Sequence, residues 1–153
     1  MTDKQKNILR PTAEIEFALE LEELKKNDPH PKPEHWLLSP WAVLQYILGT
    51  TLPDGFIISP KYFGPKRIVE IAIASLLSDR ALLLTGIPGT AKTWLAEHLT
   101  AAISGDSTIL IQGTNGTSED QMKYGWNYAS LIAKGPSYEA LIPSPIMTAM
   151  LKG

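Results

Sequence analysis

The sequence predicts an α/β fold with a helical amino-terminal extension. A short, continuous apolar run at residues 81–84 and a second segment at 108–112 suit strands that are buried on both faces. Between them lie a glycine-rich turn and residues 94–102, whose apolar side chains keep helical spacing. Strand, turn, helix and strand make a βαβ unit, whose crossover is right-handed if both strands lie parallel in one sheet. We therefore expect two regions, the extension at 1–55 and part of a nucleotide-binding domain at 56–153.

The extension is predicted to hold two helices joined by a linker. Residues 13–26 have the apolar spacing of an amphipathic helix. Residues 27–33 contain three alternating prolines, which predict a stiff, extended connection. The second helix is marked by a cap, a proline in its first position and a terminating glycine, which are Ser39, Pro40 and Gly49. A further helix is predicted to open at Pro65.

The composition indicates a globular protein of one domain, or a piece of a larger one. Apolar residues make up 44% of the 153 residues, and the net charge is −2. This balance gives no general attraction to nucleic acid or to an anionic membrane, so neither is an expected partner. Cysteine is absent, which excludes disulfides and favours a reducing compartment. With neither a signal peptide nor a membrane-spanning run visible in the sequence, the expected location is the cytoplasm.

The glycine-rich turn has the pattern of a phosphate-binding loop. Residues 86–93 read Gly-Ile-Pro-Gly-Thr-Ala-Lys-Thr, which keeps the first glycine, the lysine and the threonine of the Walker A pattern. In such a loop successive backbone N–H groups converge on phosphate oxygens, and the next helix points its free N–H groups at the same anion. We expect Lys92 to reach the β- and γ-phosphates and Thr93 to bind Mg²⁺. ATP and Mg²⁺ are therefore the expected cofactors, with Lys92 and Thr93 as the catalytic residues.

The loop departs from the strict pattern at Ala91, where the pattern has glycine, and it has an additional glycine at Gly89. Alanine fits if Ala91 has helical dihedral angles, because a positive φ disfavours a residue with a Cβ. Trp94 directly follows Thr93, so its indole is expected close to bound phosphate. The expected nucleotide-binding residues of this segment are Gly86, Pro88, Gly89, Thr90, Ala91, Lys92, Thr93 and Trp94.

The loop resembles that of MoxR-like AAA+ ATPases, in which alanine before the lysine is common. The resemblance continues through Ile-Gln-Gly-Thr at 111–114, Tyr-Gly-Trp-Asn-Tyr-Ala at 124–129 and Pro-Ser-Pro-Ile-Met at 143–147, and it covers roughly residues 56–153. It implies a P-loop NTPase core of the AAA+ type, a homo-oligomeric ring such as a hexamer, and ATP hydrolysis that remodels or assembles partner proteins. A partner with a von Willebrand factor A domain is also implied.

The same resemblance implies details of the site and of its surroundings. The segment before the helix that opens at Pro65 would close over adenine with the backbone of Tyr62 and Phe63. Residues 126–142 would form a β-hairpin with its turn at 135–136. Residues 145–151 would form the helix that leads to the Walker B strand.

The family continues with an apolar strand that ends in Asp-Glu, and this chain contains no Asp-Glu dipeptide. The carboxylates that hold Mg²⁺ and activate water in the family therefore have no counterpart here. We expect the chain to be the amino-terminal part of a larger ATPase, truncated before Walker B and inactive alone.

Two other functions stay open at this point. The chain could be a module that binds nucleotide without turning it over, which the missing Asp-Glu pair favours. A P-loop phosphotransferase is a third reading, although neither an acceptor site nor a basic lid is visible. The three histidines, His30, His35 and His98, lack the spacing of a metal site. We expect His98 to be half-buried on its helix.

Overall fold

A computed structural model describes residues 10–78 and 80–152, apart from the side chains of Asp120 and Lys152. The described residues form two compact units, the first ending at Ser107 and the second beginning at Thr108. The predicted division after residue 55 falls inside the first unit and stays a prediction.

The first unit is mainly helical. Its helices are α1 (Ala13–Glu16), α2 (Ala18–Lys26), α3 (Pro40–Leu48), α4 (Lys66–Leu77) and α5 (Lys92–Ser104). Two short strands, β1 (Thr50–Thr51) and β2 (Ile57–Ile58), pair antiparallel between α3 and α4. α3 packs against α2, α4 and α5, so it lies at the centre of the unit. Tyr46 and Ile47 of α3 are among the largest fully buried side chains, and so are Leu24, Leu38 and Leu99 around it.

The predicted limits of α3 are confirmed by its caps. The Ser39 hydroxyl accepts a hydrogen bond from the Ala42 N–H at 3.2 Å, and Pro40 occupies the first turn. Gly49 ends the helix with φ of 79°, a conformation that side chains with a Cβ rarely adopt.

The prediction of one continuous helix over residues 13–26 is wrong in one respect. The helix breaks at Phe17, where φ is −110° and ψ is 24°, so α1 and α2 are separate pieces. The break turns the Phe17 ring toward Tyr46 and His98, with centroids 6.5 and 5.2 Å away. Burial of this aromatic side chain offsets the loss of helical continuity.

The two apolar runs predicted as strands are not in a sheet among the described residues. Both runs alternate in burial, as an extended chain does, and Leu82 and Leu84 pack on the core. The prediction that both faces are buried is wrong, because Leu83 and Leu110 are 83% and 66% exposed. An apolar extended run becomes a strand only through hydrogen bonds to a neighbour, and neither run has such a neighbour in the described chain.

The start of the described chain is clamped to α5 by two carboxylates. Glu97 on α5 accepts hydrogen bonds from the Arg10 guanidinium at 2.5 Å and from the Ala13 N–H at 3.2 Å. Glu14 accepts one from the Ser107 hydroxyl at 2.7 Å, just beyond the end of α5. The amino-terminal residues therefore fix both the middle and the far end of the helix that follows the glycine-rich loop.

The second unit is built on a two-stranded antiparallel sheet. Its elements are α6 (Glu119–Met122), β3 (Tyr124–Trp126), α7 (Tyr128–Lys134), a 3₁₀ turn (Tyr138–Ala140), β4 (Leu141–Pro143) and α8 (Pro145–Lys152). β3 and β4 pair with Gly125 opposite Ile142. The prediction of a simple hairpin over 126–142 is wrong, because α7 and the 3₁₀ turn lie between the strands. The chain does reverse after Gly135, which ends α7 with φ of 76°, and α8 confirms the predicted helix at 145–151.

Candidate nucleotide-binding site

The loop between residues 86 and 91 turns sharply through three positive φ angles. They are 150° at Gly86, 83° at Gly89 and 56° at Ala91. The condition under which alanine would fit at this position is not met, because Ala91 is left-handed. Its Cβ makes that conformation unfavourable by about 1–2 kcal/mol. The glycine of the strict Walker A pattern would relieve this strain, so the structure explains why the pattern has glycine there.

The loop leads directly into the amino-terminal end of α5, which is open to an anion. Ala91 is the N-cap residue and has no side-chain oxygen that could accept the first N–H groups of the helix. Those N–H groups belong to Lys92, Thr93 and Trp94. The helix has 13 residues, enough for a full dipole whose positive end lies here. Backbone donors and dipole together fit a phosphate group.

The Lys92 ammonium closes the loop on itself. Its Nζ donates to the Ile87 carbonyl at 2.6 Å and to the Thr90 hydroxyl oxygen at 3.1 Å. The Thr90 hydroxyl also donates to the Ile87 carbonyl, at 2.9 Å. One positive charge thus lies over a turn of exposed backbone, next to the open end of α5. The Thr93 side chain is exposed at the same end.

A cavity of about 660 Å³ adjoins the loop. It contains two groups of predicted residues, Tyr62 and Phe63 on one side and Thr90, Ala91 and Trp94 on the other. Its remaining lining residues are Phe17, Ser59, Pro60, Lys61 and Gly64. Gly86, Pro88, Gly89, Lys92 and Thr93 do not line the cavity. The predicted residues therefore divide into a phosphate-type loop and an apolar, aromatic cavity beside it.

The cavity segment 59–64 is anchored to the end of α3. The N–H groups of Lys61 and Tyr62 both donate to the Ile47 carbonyl, at 2.9 and 3.1 Å. Gly49 makes this approach feasible, because a Cβ built there would lie 2.8 Å from the Pro60 nitrogen. The main chain of this segment is thus fixed at close range.

Trp94 joins the cavity segment to α5. Its indole N–H donates to the Lys61 carbonyl at 2.8 Å. The Arg10 guanidinium lies 4.8 Å from the centre of the indole ring. The centre of the His98 ring lies 4.4 Å from the centre of the indole. The ring therefore forms a wall of the cavity, while its backbone N–H belongs to the first turn of α5.

A buried ion pair between Lys61 and Glu20, which the sequence did not predict, lies beside the cavity. The Lys61 ammonium lies 2.6 Å from a carboxylate oxygen of Glu20 on α2, and its side chain is only 2% exposed. Burial lowers the pKa of Lys61, and the hydrogen bond and charge of Glu20 oppose that shift. No local pattern could have revealed the pair, because its two residues are 41 positions apart.

His98 is fully buried, so the expectation that it is half-buried is wrong. Its Nδ1 shares a hydrogen bond of 2.9 Å with the Tyr46 hydroxyl, while Nε2 has no partner in the described part of the chain. Burial lowers the pKa of His98 to about 4, which keeps the ring neutral at physiological pH. Among the described residues no three His, Asp or Glu side chains cluster as a metal site.

Comparison with known proteins places this loop in a recognised class of domain. Residues 81–153 match the AAA domain of the dynein-related subfamily. The match begins at the apolar run that precedes the loop.

The similarity to a second protein also includes the amino-terminal extension, residues 1–55. All 153 residues align at 45% identity with YehL of Escherichia coli (strain K12), an uncharacterized protein. The chain spans about two fifths of that relative, 41% of its length. No solved structure matches the chain. None of the helices in the described part of the chain has the length and apolar character needed to cross a bilayer.

Proposed function

We propose that this chain is the ATP-binding part of a MoxR-like AAA+ ATPase, which uses ATP hydrolysis to remodel or assemble partner proteins. The single observation that carries the proposal is the open amino-terminal end of α5, with Lys92 over the loop and a cavity of about 660 Å³ beside it. In this proposal the loop and α5 bind the triphosphate. The cavity receives the adenine.

The residues divide the work by their chemistry. The backbone of 86–91 and the first N–H groups of α5 would bind phosphate oxygens, and the Lys92 ammonium would stabilise charge on the β- and γ-phosphates. The hydroxyl of Thr93 would bind Mg²⁺, and the ion would neutralise charge on the phosphates. The backbone of Tyr62 and Phe63 and the indole of Trp94 would line the base.

Equilibrium binding tests the proposal directly. Calorimetric titration of the full-length protein with ATP and Mg²⁺ is expected to show saturable binding that competes with ADP. Phosphate release measured on the same sample is expected to show turnover. Failure to bind either nucleotide would remove the proposal.

A second candidate, a nucleotide-binding module without turnover, is favoured by the missing Asp-Glu dipeptide. It differs from the first in one measurement, because it binds ATP and releases no phosphate. The 153-residue chain and the full-length protein should be compared in the same assay. Turnover by the 153-residue chain would contradict the module.

The assembly and setting of the whole protein belong to the same proposal. The full-length protein would form a homo-oligomeric ring such as a hexamer. A protein with a von Willebrand factor A domain would be the partner. The absence of cysteine from the chain supports a cytoplasmic location. Light scattering with and without ATP tests the ring.

A further inference from the structure

We propose that the amino-terminal extension completes the base-binding half of this site, with Glu20 as a positioning residue and Phe17 as part of the cavity wall. The inference rests on the proposed function and adds to it. The ligand group concerned is the flat aromatic base of a nucleoside triphosphate, rather than its phosphates.

Glu20 is bound to the cavity segment through both of its carboxylate oxygens. Oε1 accepts a hydrogen bond from the Ser59 hydroxyl at 2.7 Å, and Oε2 accepts one from the Ser59 N–H at 3.1 Å. Oε2 also lies 2.6 Å from the Lys61 Nζ. One side chain of α2 therefore fixes both the backbone and a side chain of the segment that lines the cavity.

Lys61 connects Glu20 to the indole of Trp94, because its ammonium pairs with Glu20 and its carbonyl accepts the indole N–H. Its ammonium lies 4.3 Å from the centre of the Phe17 ring and 4.8 Å from that of Tyr46. It also donates to the Ser59 carbonyl at 2.5 Å. Removal of the Glu20 charge would leave a buried ammonium without its counter-ion, so the segment would shift to solvate it. The carbonyl of Lys61 binds Trp94, and the wall formed by the indole would shift as well.

The phosphate loop meets this network at the wall of the cavity, which Thr90, Ala91 and Trp94 line. The Lys92 ammonium donates inside the loop, to Ile87 and Thr90, and α5 is tied to the amino-terminal residues through Glu97 and Arg10. The two halves of the site can therefore be probed separately. Inorganic tripolyphosphate needs only the loop and the end of α5, whereas ATP also needs the cavity.

The test compares Glu20→Gln with Glu23→Gln in the full-length protein. Glu23 lies on the same helix and pairs with Lys26 one turn away, outside the cavity. Binding of ATP and of tripolyphosphate is measured by calorimetry in the presence of Mg²⁺. We expect Glu20→Gln to weaken ATP binding about tenfold, as expected when a supporting contact is lost, and to leave tripolyphosphate binding within about twofold. Glu23→Gln is expected to change neither.

The outcomes separate the inference from the proposed function. A wild-type protein that binds neither probe contradicts the proposed function itself. A wild-type protein that binds both, with an unchanged ratio of the two affinities in Glu20→Gln, overturns only the role of the extension. Equal losses for both probes would also overturn it, because they indicate general destabilisation.

Phe17→Leu provides a second test that leaves the ion pair in place. If circular dichroism shows that Glu20→Gln does not fold, this variant decides the matter, because it removes an aromatic ring from the cavity wall while keeping an apolar side chain. We expect the same selective loss of ATP affinity. Unchanged ATP binding in a folded Phe17→Leu protein would overturn the inference.

Discussion

The Nζ of Lys92 lies 2.6 Å from the carbonyl oxygen of Ile87, five residues earlier in the chain. The lysine therefore binds the backbone of its own loop. A triphosphate in this loop would have to draw the ammonium away from that carbonyl, and the charge-assisted bonds to phosphate are the stronger ones.

Lys92→Ala should abolish ATP binding for this reason. Loss of two charge-assisted hydrogen bonds corresponds to a decrease in affinity of about a hundredfold or more. Calorimetric titration measures the effect. Lys66→Ala is the matched control, because Lys66 is exposed and pairs with Glu70 on α4. Retained ATP affinity in Lys92→Ala would contradict the assignment of the loop.

Ala91→Gly should stabilise the protein. The left-handed φ of 56° is unfavourable for alanine and free of strain for glycine, so a gain of about 1 kcal/mol is expected. Thermal unfolding measures it. Ala96→Gly, at an exposed position inside α5, should instead lose about 1 kcal/mol. A lowered melting temperature for both variants would argue against strain at Ala91.

Trp94 fluorescence should change when ATP binds, because the indole lines the cavity beside the loop. The sequence contains four tryptophans, so the emission of Trp94→Phe is needed as the reference. We expect the nucleotide-dependent change to disappear in that variant. An unchanged signal in wild-type protein that is shown by calorimetry to bind ATP would remove Trp94 from the site.

Gly49→Ala should cost more stability than Gly55→Ala. Both glycines have positive φ, 79° and 87°, so both substitutions carry the same kind of backbone strain. Only at Gly49 would the new Cβ meet main chain, 2.8 Å from the Pro60 nitrogen. An additional loss of about 1–3 kcal/mol is expected in urea unfolding. Equal losses for the two variants would show that the close approach is not limiting.

Stability should fall as the pH is lowered through the window set by His98. The ordinary pKa of 6.5 applies to the unfolded chain, and burial lowers the folded pKa to about 4. Between these values the unfolded state binds the extra proton, so the free energy of unfolding decreases as pH falls, by up to about 3 kcal/mol.

Substitution of His98 separates its contribution to the pH dependence of stability from the contribution of the carboxylates. His98→Gln keeps a hydrogen-bond acceptor for Tyr46 and has no titrating ring, so its unfolding free energy should depend less on pH between 4 and 6.5 than that of wild type. His30→Gln alters an exposed histidine and should follow wild type. A profile of His98→Gln that is parallel to wild type would refute the link.

Local patterns predicted the features that depend on neighbouring residues. Ser39, Pro40 and Gly49 define the ends of α3 because a cap, a proline and a glycine act within one turn of the chain. The glycine-rich loop and the start of α5 follow from the same kind of local chemistry. The residues predicted at the cavity, Tyr62 and Phe63, came from a family resemblance.

Features that depend on distant partners could not be read from the chain. The continuous apolar run at residues 81–84 was visible, but a strand also requires a neighbour, and the pattern does not identify one. The pairing of Glu20 with Lys61 joins positions 41 apart and has no local pattern. Ala91 shows a third limit, because its left-handed φ is imposed by the loop around it and opposes its own preference.

The ion pair between Arg10 and Glu97 has a consequence for folding during synthesis. Synthesis proceeds from the amino-terminal end. Glu97, the partner of Arg10, is made 87 residues later, and Ser107, the partner of Glu14, is made 93 residues later. At typical rates of elongation this interval is several seconds or more. α1 emerges from the ribosome well before α5, against which it packs in the fold, so its apolar face is open to chaperone capture until α5 arrives.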